Sequence, residues 1–309
     1  MNLPAAVSLI LLVLSFGVSA QLPDELAHLE ALASEQDELV SATRRFDLQQ
    51  QGLLEWDLAL VDEFMLQGKS DLAATQQSGI HKRVDLMRTA WVYVTDRYPN
   101  NARALNYYGE FLYDYDKDQA KAVQNWRVAI KLDDKLATAH NNLGIHHFHT
   151  GDHRNGLNHL QRALELEKDN PDFLFNMSQM YMIFFPQLGR MLDLSKEKIY
   201  KEAMRMSKKA AELAPDDYDV LLDYATNFYA AQNFGIKSDW EEAALAWRRA
   251  RPHAPTDTQT FYTFLNEGRT WLRSNKKGNA VKPLEEAAAL RPESRVVEQL
   301  LKKARQGTG

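Results

Sequence analysis

The chain has 309 residues, 45% hydrophobic and 26% charged, with 37 Lys and Arg against 42 Asp and Glu and a formal net charge of -5. That balance excludes a globally basic nucleic-acid binder. Cysteine is absent, which excludes disulfides, thiol nucleophiles and cysteine-ligated metal centres.

The first twenty residues, "MNLPAAVSLILLVLSFGVSA", hold an apolar core over residues 5–18 and end in Val18-Ser19-Ala20. This small-x-small ending predicts a cleaved signal peptide at residues 1–20, a mature start at Gln21 and a secreted or periplasmic location. Retention as an amino-terminal anchor is the alternative, because no Lys or Arg precedes the core. No later apolar run reaches the length of a membrane span.

Residues 21–101 read as amino-terminal helices. In residues 24–50, Leu26, Leu29, Leu32, Leu39 and Phe46 recur at helical spacing among charges. This amphipathic helix fits a cap on the neighbouring helices, and equally a coiled coil that joins copies of the chain. Residues 53–67 form a second helix, and "LMRTAWVYVTDRYPNN" a degenerate half-repeat with Trp91 at a large position.

A period then sets in. Small residues recur seven apart: Ala122 and Ala129, Gly156 and Ala163, Ala203 and Ala210, Ala243 and Ala250, Ala280 and Ala287. Between them stand Trp126, Leu160, Trp247 and Leu284, with Ser207 in the third copy. Upstream of each pair lies a second helical pattern with a small fifth residue: Gly109, Gly144, Ser178 and Ala225, with Leu265 breaking the rule in the last copy. Two helices approach closely only where both present small residues, and bulky neighbours then interlock. A hairpin of this kind buries only part of its apolar face, so hairpins must stack.

The copy at 137–170, with "NNLG" and "TGDHRNGLNHLQRALELEKDN", resembles the tetratricopeptide repeat family in length and pattern. The resemblance spans residues 102–292, with copies at 102–136, 137–170, 171–217, 218–257 and 258–292. It implies an all-α, right-handed α-solenoid of about five helical hairpins, with residues 293–309 as a carboxy-terminal capping helix and tail. Extra residues fall within 183–200, 231–240 and 274–279. They read as longer helices and turns, or, through Ile183, Phe184, Phe185 and Leu188, as a partner surface.

The resemblance also implies function: first helices line a concave groove that holds a protein or peptide partner, with no bond chemistry. Carried over by position, the groove residues are Asn106, Glu110, Tyr113, Asn141, Asn142, Phe148, Asn176, Gln179, Asp223 and Tyr229. Asn pairs at once with a peptide N–H and C=O, and the aromatic rings offer apolar platforms. Asp172, Asp219 and Asp223 stand where a carboxylate clamp would need cations, so a neutral or basic partner is expected. Six of nine histidines lie in the His140 to His159 stretch, which raises a metal-binding or metal-delivery alternative. Within it only His146 and His149 share a face one turn apart, weak candidates without a third ligand. A further alternative is an envelope-assembly subunit that oligomerises through residues 24–50. No GxSxG, P-loop or HExxH motif occurs, so no catalytic residue and no cofactor is assigned.

Overall fold

A computed structural model describes residues 36–306 together with Leu29. The expected signal peptide lies outside the described residues, as do residues 24–28 and 30–35 of the helix expected over 24–50. Among the described residues every regular element is helical. Two long helices, α1 (Gln36–Leu66) and α2 (Ser70–Arg97), come first. Five hairpins come next: α3 (Ala102–Asp114) with α4 (Gln119–Leu132), α5 (Ala137–His149) with α6 (His153–Leu166), α7 (Pro171–Ile183) with α9 (Lys196–Leu213), α10 (Tyr218–Ala230) with α11 (Trp240–Ala250), and α12 (Asp257–Arg273) with α13 (Lys277–Leu290). A short helix, α8 (Phe185–Leu192), interrupts the third hairpin, and α14 (Arg295–Arg305) closes the series.

Local chemistry sets these boundaries. Asn101, Asp118, Asp152, Asn170, Asp217 and Asp239 each accept hydrogen bonds from backbone N–H groups in the first turn of the adjoining helix. Each cap contributes about 1 kcal/mol by satisfying donors that the helix itself leaves open. Three hairpin turns place a left-handed residue two positions before the second helix: Lys117, Gly151 and Asn275. Gly151 takes that conformation without strain.

The chain divides into two compact units, Met1–Leu143 and Gly144–Gly309. In the first, α1 and α2 pack together through Leu39, Val40, Leu54, Ile80, Met87 and Trp91. Leu29 is buried in the same cluster. The two helices expected before residue 67 are one. Gly52 sits inside α1 with open space around it. A helical glycine costs only about 1 kcal/mol, too little to end a helix whose apolar face continues on both sides.

The small residues work as the spacing implies. A Cβ on Gly109 would lie 2.4 Å from the indole nitrogen of Trp126, and one on Gly144 would lie 2.7 Å from Leu160. Gly156 faces the Phe148 ring and the Gly144 carbonyl. In the fifth hairpin the close approach belongs to Gly268, whose Cβ would meet Leu284 at 2.4 Å. Leu265 is therefore not a broken small position: the register sits three residues later on a longer first helix of 17 residues.

The insertion at 183–200 is folded rather than looped. Pro186 lies in the first turn of α8, where a missing N–H costs nothing. Leu188 is fully buried, while Phe184 packs on Phe148 and His153, and Phe185 on Phe234. The partner-surface reading of these side chains fails for all but Ile183, which is 57% exposed. Phe234, within the 231–240 insertion, is buried as well, on a short 3-10 helix that ends at Gly235.

Candidate functional site

Asn106 and Glu110 lie one turn apart on α3, and Asn142 reaches them from α5. The Asn106 amide donates to Glu110 at 2.9 Å, and the Asn142 amide donates to Glu110 at 3.1 Å and to the Asn106 side-chain oxygen at 3.3 Å. The cluster is closed by a residue that sequence reasoning missed, Arg44 on α1. Its guanidinium meets Glu110 at 2.7 Å and Asp47 at 3.0 Å, and lies 4.6 Å from the centre of the Tyr107 ring. Gln51 also donates to Asp47, at 3.1 Å.

Burial dominates the electrostatics here. It pushes Asp47 up to about 6, against the pull of Arg44, and raises the Glu110 carboxyl against Arg44 and the two amides. Asn141 is buried and donates weakly to Asn142 at 3.4 Å, and Tyr113 packs on Trp126 with ring centres 5.3 Å apart. The groups expected to hold a peptide are thus largely engaged with one another. Phe148 is a correction: it is fully buried between Gly156, His153 and Phe184, and offers no platform. Its place on a first helix gave the expectation, but the close approach at Gly156 turns that ring inward.

In the second unit Asp223 is the centre of a smaller network. It accepts from Ser207 at 2.7 Å, from Asn227 at 2.8 Å, and from Gln179. Burial raises its carboxyl while these donors lower it. The odd Ser207 is thereby explained. Other hairpins fill this position with Trp or Leu, whereas here a hydroxyl bridges to the neighbouring first helix and also accepts from Asn227 at 3.2 Å. Asn227 escaped the sequence reading, although its place one turn after Asp223 was visible. Asn176 and Gln179 are half-buried on α7. Tyr229 packs on Trp240 and Trp247 at 5.4 and 6.5 Å, with Arg273 at 5.0 Å from its ring centre.

The histidines disperse. His147 stacks on His159 at 5.6 Å and lies 3.4 Å from Asp152, His153 packs between Phe148 and Phe184, and His149 is exposed. Among the described residues no three His, Asp or Glu side chains are placed to hold a metal ion. His146 and His149 gain no third ligand from the fold among those residues. No helix among the described residues is long and apolar enough to cross a membrane.

No family model matches the chain. A curated relative, Photosystem I assembly protein Ycf3 of Cyanophora paradoxa, is 31% identical over 104 residues, which are 32% of this chain and 60% of that protein. The chain therefore spans less than two thirds of that relative's length. Among solved structures, YrrB, described as a TPR protein with an unusual peptide-binding site, aligns with a TM-score of 0.48 and 16% identity, over 69% of this chain and 98% of that one. PilF of Pseudomonas aeruginosa aligns with a TM-score of 0.46 and 13% identity, over 82% of this chain and 99% of that one. The five sequence copies, realised as five successive helical hairpins, give the chain an all-α repeat fold of tetratricopeptide type.

Proposed function

We propose that the chain is an exported, non-enzymatic scaffold that holds a peptide or a helix of another protein against the first helices of its hairpins. One observation carries this reading. In the second unit the first helices α7 and α10 present a row of amides and hydroxyls. Asn176, Gln179 and Asn227 are half-buried, and Thr226 and Tyr262 are exposed beside or beyond them. Such groups satisfy the main chain of an extended segment without demanding one sequence. Gln179 and Asn227 donate to Asp223, but among the described residues no cation closes that network as Arg44 closes the one in the first unit, so the working face is assigned to the second unit. Export rests on the sequence of residues 1–20.

Hydrogen exchange of the full chain, with and without a partner recovered from its own cell envelope, tests the reading. Protection should appear along α7 and α10, and Asn176→Ala/Asn227→Ala should weaken capture. Protection confined to α1 and α2 would move the interface to the amino-terminal helices and sink the groove. Mass analysis of the secreted chain should find Gln21 at its amino terminus.

A further inference from the structure

We propose that a cleft bounded by α12, α13 and α14 docks an acidic peptide segment that carries an apolar side chain. This rests on the scaffold reading above and names one partner chemistry for it.

The cleft has a volume of about 480 Å³ and takes four cations, Arg269, Arg273, Lys277 and Lys303, with Leu272 and Leu300 as its apolar part. Among the described residues it is lined by no carboxylate, in a chain where acids outnumber bases. The neighbours show that carboxylates were within reach of this region. Lys276 pairs with Glu241 at 2.6 Å, Arg305 with Glu285 at 2.8 Å, and Arg248 and Arg251 with the buried Glu267. Those flanking cations are neutralised, whereas the four that face the cleft form no ion pair among the described residues.

Two of the four are held in place without losing charge. Arg273 lies 4.5 Å from the Trp240 ring centre and 5.0 Å from that of Tyr229, and Arg269 donates to Asn266 at 3.1 Å. Aromatic faces orient a guanidinium and leave its fork of donors open to a carboxylate. Helix dipoles account for part of the pattern only. Arg273 and Lys303 sit near helix carboxyl ends, where cations are favoured, but Lys277 is the first residue of α13, where they are disfavoured. Four like charges around one cleft repel one another, and a ligand with two or more carboxylates removes that cost.

The apolar part selects a polypeptide among polyanions. Leu272 and Leu300 are half-buried and give an aliphatic or aromatic side chain a place to lie between charge contacts. Four cations in a net acidic chain do not make the extended basic track that a nucleic acid follows.

The test uses the full chain and a fluorescein-labelled octapeptide, Asp-Glu-Asp-Leu-Phe-Glu-Asp-Glu, read by fluorescence polarisation. The expected result is saturable binding that weakens as salt rises, with no binding of the same peptide in which every acid is Lys. Arg273→Glu/Lys303→Glu should weaken binding by about tenfold or more. Lys277→Glu, at the half-buried start of α13 where an acid suits the helix dipole, should weaken it with no fall in the thermal melt, which separates charge from misfolding. Equal affinity for the Lys peptide, or full affinity in the double variant, overturns the proposal. So does tighter, cleft-dependent binding of phosphatidylserine vesicles or of an oligothymidine, which would assign the cleft to another class of ligand. If the octapeptide fails while envelope capture still depends on Asn176 and Asn227, only this inference falls. If both fail, the scaffold reading falls with it.

Discussion

Arg44 and Arg273 begin from the same arrangement, a guanidinium over a tyrosine ring, at 4.6 and 5.0 Å. They end differently. Arg44 is neutralised by Glu110 and Asp47, and its surroundings are closed by two asparagine amides. Arg273 meets no carboxylate among the described residues and faces a cleft with three more cations. Ring packing therefore positions the charge in both units, and the supply of carboxylates decides whether it is structural or available. Residue type at a ligand-facing position is a poor guide on its own. Asn106 and Asn142 have the right chemistry for a peptide and spend it inside the fold.

The largest effect should come from opening the closed cluster. Glu110→Ala takes from Arg44 one of its two carboxylates and from the amides of Asn106 and Asn142 the acceptor they share. It should destabilise the first unit by about 3 kcal/mol, read as a shift of its urea midpoint, because buried donors lose their acceptor and Asp47 alone is left to balance Arg44. A variant that melts like the wild type would show the cluster to be solvated surface.

An effect of at most the same size tests the closure through pH. The folded Asp47 carboxyl, pushed up to about 6, holds its proton more tightly than the unfolded one, near 3.8. Stability therefore falls as pH rises between about 4 and 6, and the full cost of ionised Asp47 is present above that window. This group alone accounts for up to about 3 kcal/mol, and Asp47→Asn should flatten the curve. An unchanged pH profile in the variant would assign the titration elsewhere.

The smallest effect belongs to the open cleft. Lys277→Ala and Lys303→Ala should move stability by no more than about 0.5 kcal/mol. The direction should be favourable at low salt, since each removes a repulsion and breaks no pair. A clear loss on melting would mean that these lysines have partners in the fold.

The hairpins were legible because their signal is periodic and steric. A small residue every seventh position, with a bulky one between, has few other readings, and Gly109, Gly144 and Gly156 meet the neighbours that the spacing implies. Three features were not legible, each for a physical reason. Gly52 and Pro186 look like breakers, but one sits in an exposed helix interior and the other opens a helix, where both are cheap. The fifth copy was read three residues early because an extended α12 moves the contact to Gly268. The cations of the cleft carry no local pattern, since Arg273, Lys277 and Lys303 come from three helices and meet only in the fold.

The contact between Arg44 and Glu110 spans 66 residues, whereas the Trp126 indole finds the Asn106 carbonyl only 20 residues away. As the chain leaves the ribosome, α1 and α2 emerge before α3, and the acceptor that completes them is then still unmade. Each hairpin behind them closes a short loop and forms quickly. Closing the longer loop costs about 1 kcal/mol more in chain entropy. The helix α1 is thus among the last to be finished, and until α3 arrives it must wait with Arg44 and Asp47 as each other's only charged company in that cluster.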